Sequence, residues 1–203
     1  MGIGSRKENR DRGEVQWGGN LVFRELVQKP DGTLGTTFPQ EMIPKTGNAL
    51  HPEFSTLTAG GAGSAARVTL NGVETHEVAQ LASLPHSYRL RCTVRPAKGT
   101  YSFGLGLRGS GAFELMQQLG FSSPRRTVQL EQEQIDCVDG LDGDFSLDVL
   151  LHDDIIDVCI DGRRCIIDRL PERRGEKLFF YCHNGVVSFD DIELHELPVA
   201  VES

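Results

Sequence analysis

Carboxylates are the chain's most abundant reactive side chains, 29 Asp plus Glu against 21 Lys plus Arg, and several of them cluster. In DCVDGLDGDFSLD, Asp139, Asp142 and Asp144 alternate with glycines, which sets out hard oxygen donors of the kind calcium takes. The loop over 136–144 lacks both the spacing of an EF-hand and its closing Glu, and Asx turns account for the same residues. Asp153, Asp154 and Asp157 make a second group. Acidic residues beside strands are mostly solvated, so neither group marks a catalytic pair by itself. The six histidines, at 51, 76, 86, 152, 183 and 195, are scattered without a pair at helical metal spacing, so zinc is not expected. No Ser-His-Asp or Cys-His arrangement can be picked out, and Gly104-x-Gly106 sits inside a strand rather than before a helix, unlike a phosphate loop. The residues therefore indicate no cofactor, no metal and no catalytic set.

Five cysteines, Cys92, Cys137, Cys159, Cys165 and Cys182, cannot all pair within one chain, and none forms a Cys-x-x-Cys clip. They read as reduced thiols, as in a cytoplasmic protein. The alternative is a bridge between Cys159 and Cys165 across the Asp161-Gly162 turn, which would imply an oxidising compartment.

These residues must be positioned by strands. In Phe145, Leu147, Val149 and Leu151 the apolar side chains fall on every second position, the period of a half-buried strand. His152-Asp153-Asp154 turns the chain, Ile156, Val158 and Ile160 share the returning face, and Asp161-Gly162 supplies a type I′ hairpin signal before a third strand at 164–169. Tyr88, Leu90, Cys92 and Val94 alternate in the same way, as do Phe103, Leu105 and Leu107, and residues 112–119 and 125–131 read as further strands. Tyr88, Tyr101 and Tyr181 fall within such runs and are expected in the core. LFFYC is followed by Asn184-Gly185, read as a turn, and the last strand slips phase near Asp190-Asp191, the mark of a β-bulge. No long helical period and no internal repeat occur. The expectation is an all-β fold, a two-sheet antiparallel β-sandwich of the concanavalin-like jelly-roll type.

The domain reading follows. Residues 1–16 are charged and aperiodic, a disordered or artificial leader. Residues 17–63 hold a hairpin, with Lys29-Pro30-Asp31-Gly32 as its turn, and an irregular connection rich in Pro and Gly; residues 64–203 form the sandwich. Leu21 to Gln28 is apolar on both faces and should be covered on both sides. A net charge of −8 opposes non-specific binding to nucleic acid or to an anionic membrane. No apolar run approaches the roughly 20 residues of a membrane span, and the N-terminus has no apolar leader, so a cytoplasmic location is expected.

Three stretches carry a resemblance to a known family. LDVLLHDDIIDVCIDGRRCIIDRL at 147–170, SYRLRCTVRPAKGTYSFGLGLRGSG at 87–111 and FFYCHNGVVSFDDIELHEL at 179–197 resemble the C-terminal β-sandwich of family 32 glycoside hydrolases, the β-fructosidases of sucrose, inulin and levan. WGGNLVFRELVQKPDGTLGT at 17–36 resembles the chain leaving the catalytic propeller of those enzymes. The family's catalytic signatures, Trp-Met-Asn-Asp-Pro-Asn-Gly, Arg-Asp-Pro and Glu-Cys, are all absent, so the resemblance implies the accessory module without the active site. What it implies is a non-catalytic support for the propeller, with possible partners being that propeller, fructan or another carbohydrate, and a second copy in a homo-oligomer. The alternative is a free-standing carbohydrate-binding or lectin-like module, and a third is a complete concanavalin-like glycosidase or lyase. Trp17, the only Trp, with Phe23 and Glu25 of the propeller-exit stretch, are the candidate domain-interface or sugar contacts.

Overall fold

The computed structural model describes residues 22–169 and 175–198. Fourteen strands run through them in the order β1 (Glu25–Gln28), β2 (Leu34–Thr37), β3 (Glu53–Thr56), β4 (Gly61–Ser64), β5 (Arg67–Ala82), β6 (Tyr88–Pro96), β7 (Ser102–Gly109), β8 (Gln117–Ser122), β9 (Thr127–Leu130), β10 (Glu133–Ile135), β11 (Phe145–His152), β12 (Ile155–Ile160), β13 (Arg164–Arg169) and β14 (Lys177–Glu196). A single turn of 3-10 helix, Gln40–Met42, is the one helical element among the described residues. All strand pairs are antiparallel.

Two layers result because β5 and β14 run together and pass from one to the other. The first half of β14 pairs with β7, extending through β8 and β9 to β10, while its second half pairs with β6, extending through β11 and β12 to β13. The passage occurs where Gly185 lies opposite Gly72, and the pairing shifts register between His183 and Gly185. Asn184 takes a positive φ of 56° there. The expected turn at Asn184-Gly185 is therefore a bulge inside a 20-residue strand. Gly185 is needed for space as well: a Cβ on it would stand 2.5 Å from the Thr100 Cα. The bulge expected near Asp190-Asp191 is present, with the β14–β6 register shifting between Asp190 and Glu193.

The core lies between the layers. Leu90 and Val94 of β6, Phe103, Leu105 and Leu107 of β7, Val149 and Leu151 of β11, Ile156 and Val158 of β12, and Phe180 and Phe189 of β14 are all buried there. At one side the edge strands β10 and β13 come into contact, so the sandwich closes toward a barrel. The all-β jelly-roll expectation holds, and so does the strand–turn–strand–turn–strand reading of 145–169, with Asp161 and Gly162 both at positive φ.

Two further stretches differ from expectation. The supposed irregular connection over 39–63 carries β3 and β4, both paired to β5. Their residues are mostly polar or small because β3 and β4 are edge strands, which need no apolar alternation. Of the strand expected over 112–119 only the last residues belong to β8; Phe113 has φ of 71° in a turn, and Leu115 is exposed. The apolar residues there are spaced for a turn that lays Phe113 and Met116 on the outer face of the sheet, against Phe179 and Tyr181.

The N-terminal hairpin forms as read, with the Gly32 amide donating to the Lys29 carbonyl and the Thr33 amide to Asp31 Oδ1. It docks on the outer face of β12 and β13: the Thr36 amide donates to the Arg163 carbonyl, and Phe38 packs with Leu150, Cys159 and Leu197. It is not covered on both sides, however. Phe23, Leu26 and Leu34 remain 56%, 68% and 64% exposed, because a two-stranded hairpin laid on a sheet has only one face to bury.

Candidate functional site

Strand alternation turns every second residue of β7 to β10 and of the first half of β14 outward, and on this outer face those residues line a groove of about 440 Å³. Its floor includes Gly120 of β8, which pairs with Gly104 of β7. A Cβ on Gly104 would come within 2.1 Å of the Leu119 carbonyl oxygen and 2.7 Å of Tyr181 Oη, so the missing side chain leaves room for the Tyr181 ring. Gln118 Nε2 donates to Tyr181 Oη at 2.9 Å. Burial pushes the Tyr181 phenol up to about 12, which keeps it a neutral hydroxyl able both to donate and to accept.

Around this floor stand Ser102, Ser122, Arg125, Thr127, Gln129, Glu131 and Gln134. Glu131 is locked in place, since its carboxylate accepts the Gln118 amide at 2.7 Å and its carbonyl accepts Gln129 Nε2 at 2.9 Å. Gln134 Nε2 donates to Asp136 Oδ1. Tyr101 and Tyr181 of the lining continue into a cluster of rings on the β5 and β14 side. His76 stacks on Tyr181 at 6.1 Å between centroids and meets Phe113 at 5.3 Å, and Tyr101 stands edge-on to His183 at 6.5 Å. Burial, with the nearby His183, holds the His76 imidazole below its ordinary pKa, so it stays neutral to lower pH than a free histidine. The result is a row of amides, hydroxyls and one carboxylate beside apolar ring faces.

Tyr101 is therefore not the core residue expected, being 41% exposed before β7. Tyr88 lies in the interior, and Tyr181 is buried as expected, in a second cluster with Val78 and Phe179 that borders the groove. The glycine steps of β7 were legible in the sequence. The phase of β14 was not, because Leu178 to Cys182 are apolar throughout, and neither was the order in which these strands neighbour one another.

Of the candidates named from the sequence, Phe23 and Glu25 lie on the β1 hairpin against the opposite layer and do not meet the groove, while Trp17 falls outside the described residues. The acidic loop borders a second cleft, of about 570 Å³, between the β1–β2 turn and the β12–β13 turn. Its carboxylates are bound to arginines: Asp139 pairs with Arg126 and Asp144 with Arg95, while Arg163 reaches Asp31 at 3.4 Å and Asp161 at 3.2 Å. Among the described residues, no group of three or more His, Cys, Asp or Glu is placed to hold a metal ion.

The sequence matches no family model and no curated protein. Solved structures do match in fold. A carbohydrate-binding module, CBM66, from Bacillus subtilis superposes with a TM-score of 0.61 at 8% identity, over 72% of this chain and 97% of that one. A fructosyltransferase from A. japonicus gives 0.54 at 12% identity over 87% of this chain and 32% of its own, and an exo-inulinase from Aspergillus awamori gives 0.53 at 11% over 87% and 35%. The chain thus spans about a third of the length of those two proteins. The likeness that 87–111, 147–170 and 179–197 suggested is present as a likeness of fold, to a β-sandwich portion without the rest of the enzyme.

Proposed function

We propose that this chain is a non-catalytic carbohydrate-binding β-sandwich module that takes a sugar chain along the groove of β7–β10 and β14, as the accessory part of a β-fructosidase-like glycoside hydrolase. The observation that carries the reading is the groove itself. Sugars present an apolar C–H face and a ring of hydroxyls, and the groove offers the exposed ring of Tyr101 and the hydroxyl of Tyr181 beside fixed donors and acceptors at Gln118, Gln129, Gln134 and Glu131. Hydrolysis of a glycosidic bond uses two carboxyls about 5–9.5 Å apart, and the groove lining has Glu131. Glu131 is committed to the Gln118 amide, which suits a holding role.

Calorimetric titration with levan, inulin and other soluble glycans tests this. Tyr101→Ala and Gln118→Ala should each weaken binding by roughly 1 kcal/mol, about fivefold, with the fold retained by circular dichroism. Absence of binding to every glycan, or binding indifferent to both substitutions, would discard the groove as a sugar site.

A second role fits beside the first. The exposed apolar side of the β1–β2 hairpin, on the layer opposite the groove, offers a surface on which a catalytic propeller of the same enzyme could rest while the groove stays open. That role is support of the propeller, by residues that include Phe23.

A further inference from the structure

Two thiols face each other beneath the N-terminal hairpin. Cys159 of β12 and Cys165 of β13 are direct register partners. Residues directly opposite in an antiparallel pair have Cα atoms about 4.5–5.5 Å apart, inside the roughly 4.4–6.8 Å over which a disulfide closes. Their side chains converge on one place: Cys159 Sγ lies 3.8 Å from the Thr36 carbonyl oxygen and 3.7 Å from Thr37 Oγ1, and Cys165 Sγ lies 3.4 Å from the same Thr36 carbonyl oxygen. Both are free thiols. The other three cysteines are placed differently, Cys92 and Cys182 in the core and Cys137 exposed on the acidic loop.

We infer that Cys159 and Cys165 form a redox-active dithiol, oxidised by a small-molecule disulfide to a bond between β12 and β13 that loosens the β1–β2 hairpin above it. The pair is chemically asymmetric. Hydrogen bonding from the Cys165 thiol pulls the Cys159 thiol below its ordinary pKa, while the same contact and burial push Cys165 up. Cys159 is thus the nucleophile and Cys165 the resolving thiol.

In the first step the Cys159 thiolate, its proton lost to solvent, attacks one sulfur of the oxidant. The oxidant's S–S bond breaks, and one half leaves as a thiolate that takes up a proton. Cys165 then gives up its proton and attacks Cys159 Sγ, the mixed disulfide breaks, and the second half leaves as a thiol. Two electrons pass from the cysteine pair to the oxidant, and two small thiols are released for each bond formed.

Closing the bond brings the sulfurs to about 2 Å and removes both S–H donors from Thr36 and Thr37. Because Cys159 is 4% exposed, the hairpin has to lift before the oxidant arrives, and what holds it down is the Thr36–Arg163 bond and an Arg24–Asp157 ion pair. The inference is independent of the sugar groove, which lies on the other layer.

The test uses the full chain, reduced and then incubated with glutathione disulfide, followed by intact mass measurement and peptide mapping. The expected result is loss of the mass of two hydrogen atoms, a cross-linked peptide joining Cys159 to Cys165, reversal by dithiothreitol, and faster amide exchange over 34–38 in the oxidised form. Cys165→Ser should trap glutathione on Cys159. If Cys137 accepts glutathione while Cys159 and Cys165 stay fully alkylatable on unfolding, or if the mapped link joins any other pair, the inference is overturned; both readings come from the unsubstituted chain and do not depend on a variant folding.

Discussion

The ion pair between Arg24 and Asp157 shows how one residue couples the hairpin to the sandwich. Arg24 makes a fork to both oxygens of Asp157, at 2.9 and 2.5 Å, and its guanidinium lies 5.6 Å from the Phe38 ring centre. Both side chains are largely buried, 20% and 11% exposed. Burial raises the Asp157 carboxyl to about 6, outweighing the pull of Arg24. A raised pKa means that the folded chain holds this proton more tightly than the unfolded one, so the stability tied to it is full below about pH 4 and falls as pH rises through 6. Two pKa steps are worth up to about 3 kcal/mol. Urea unfolding of the wild type and of Asp157→Asn, compared at pH 4 and pH 7.5, should show the wild type losing ground to the variant as pH rises. A constant difference would remove Asp157 as the titrating group. Replacing Arg24 by Met should steepen the wild-type decline, because the buried carboxylate then has no counter-charge.

At the scale of elements, the hairpin β1–β2 and the long strands β5 and β14 do different work. β5 and β14 are the shared seam of the two layers, and the Gly72–Gly185 crossing lets one pair of strands serve both sheets. The hairpin is an appended element with one buried side. Its outer side leaves Phe23, Leu26 and Leu34 exposed, and large apolar side chains gain roughly 1.5–3 kcal/mol each when fully buried, so the patch favours a covering surface. In sedimentation velocity the isolated chain should self-associate with rising concentration, and Phe23→Ser should weaken that association and improve solubility. A strict monomer, equally soluble with or without the substitution, would show that this side of the hairpin is no interface. The same measurement bears on the support role, since a surface that rests on a propeller is left uncovered without one.

The whole molecule is an acidic β-sandwich with a polar, ring-edged groove on one layer and a docked hairpin on the other. As an isolated protein it should release no fructose from sucrose, inulin or levan, because among the described residues that line its groove Glu131 stands without a second carboxyl. Turnover by a clean preparation that disappears on Glu131→Gln would reverse this reading. Much of the architecture was already legible as periodicity: the alternation of Phe145 to Leu151, of Tyr88 to Val94 and of Phe103 to Leu107 fixes which side of each strand is buried, and Asp161-Gly162 fixes a turn through local backbone preference alone. Such signals need only neighbours in sequence. Asn184-Gly185 shows where that stops, since the same dipeptide that closes a hairpin also suits a bulge, and only the pairing of Gly185 with Gly72 decides between them. The edge strands β3 and β4 were missed for a related reason, because an edge strand owes its form to its partner rather than to its own pattern. The groove depends still more on tertiary structure: Tyr181, Gln118, Gln129 and Gln134 come from four strands, and strand order and sheet curvature, which bring them onto one face, arise from contacts between residues far apart in the chain. The opposed thiols of Cys159 and Cys165 could be read from the turn between them, but the carbonyl of Thr36 on which both converge could not, since it arrives only when the hairpin folds back across the sandwich.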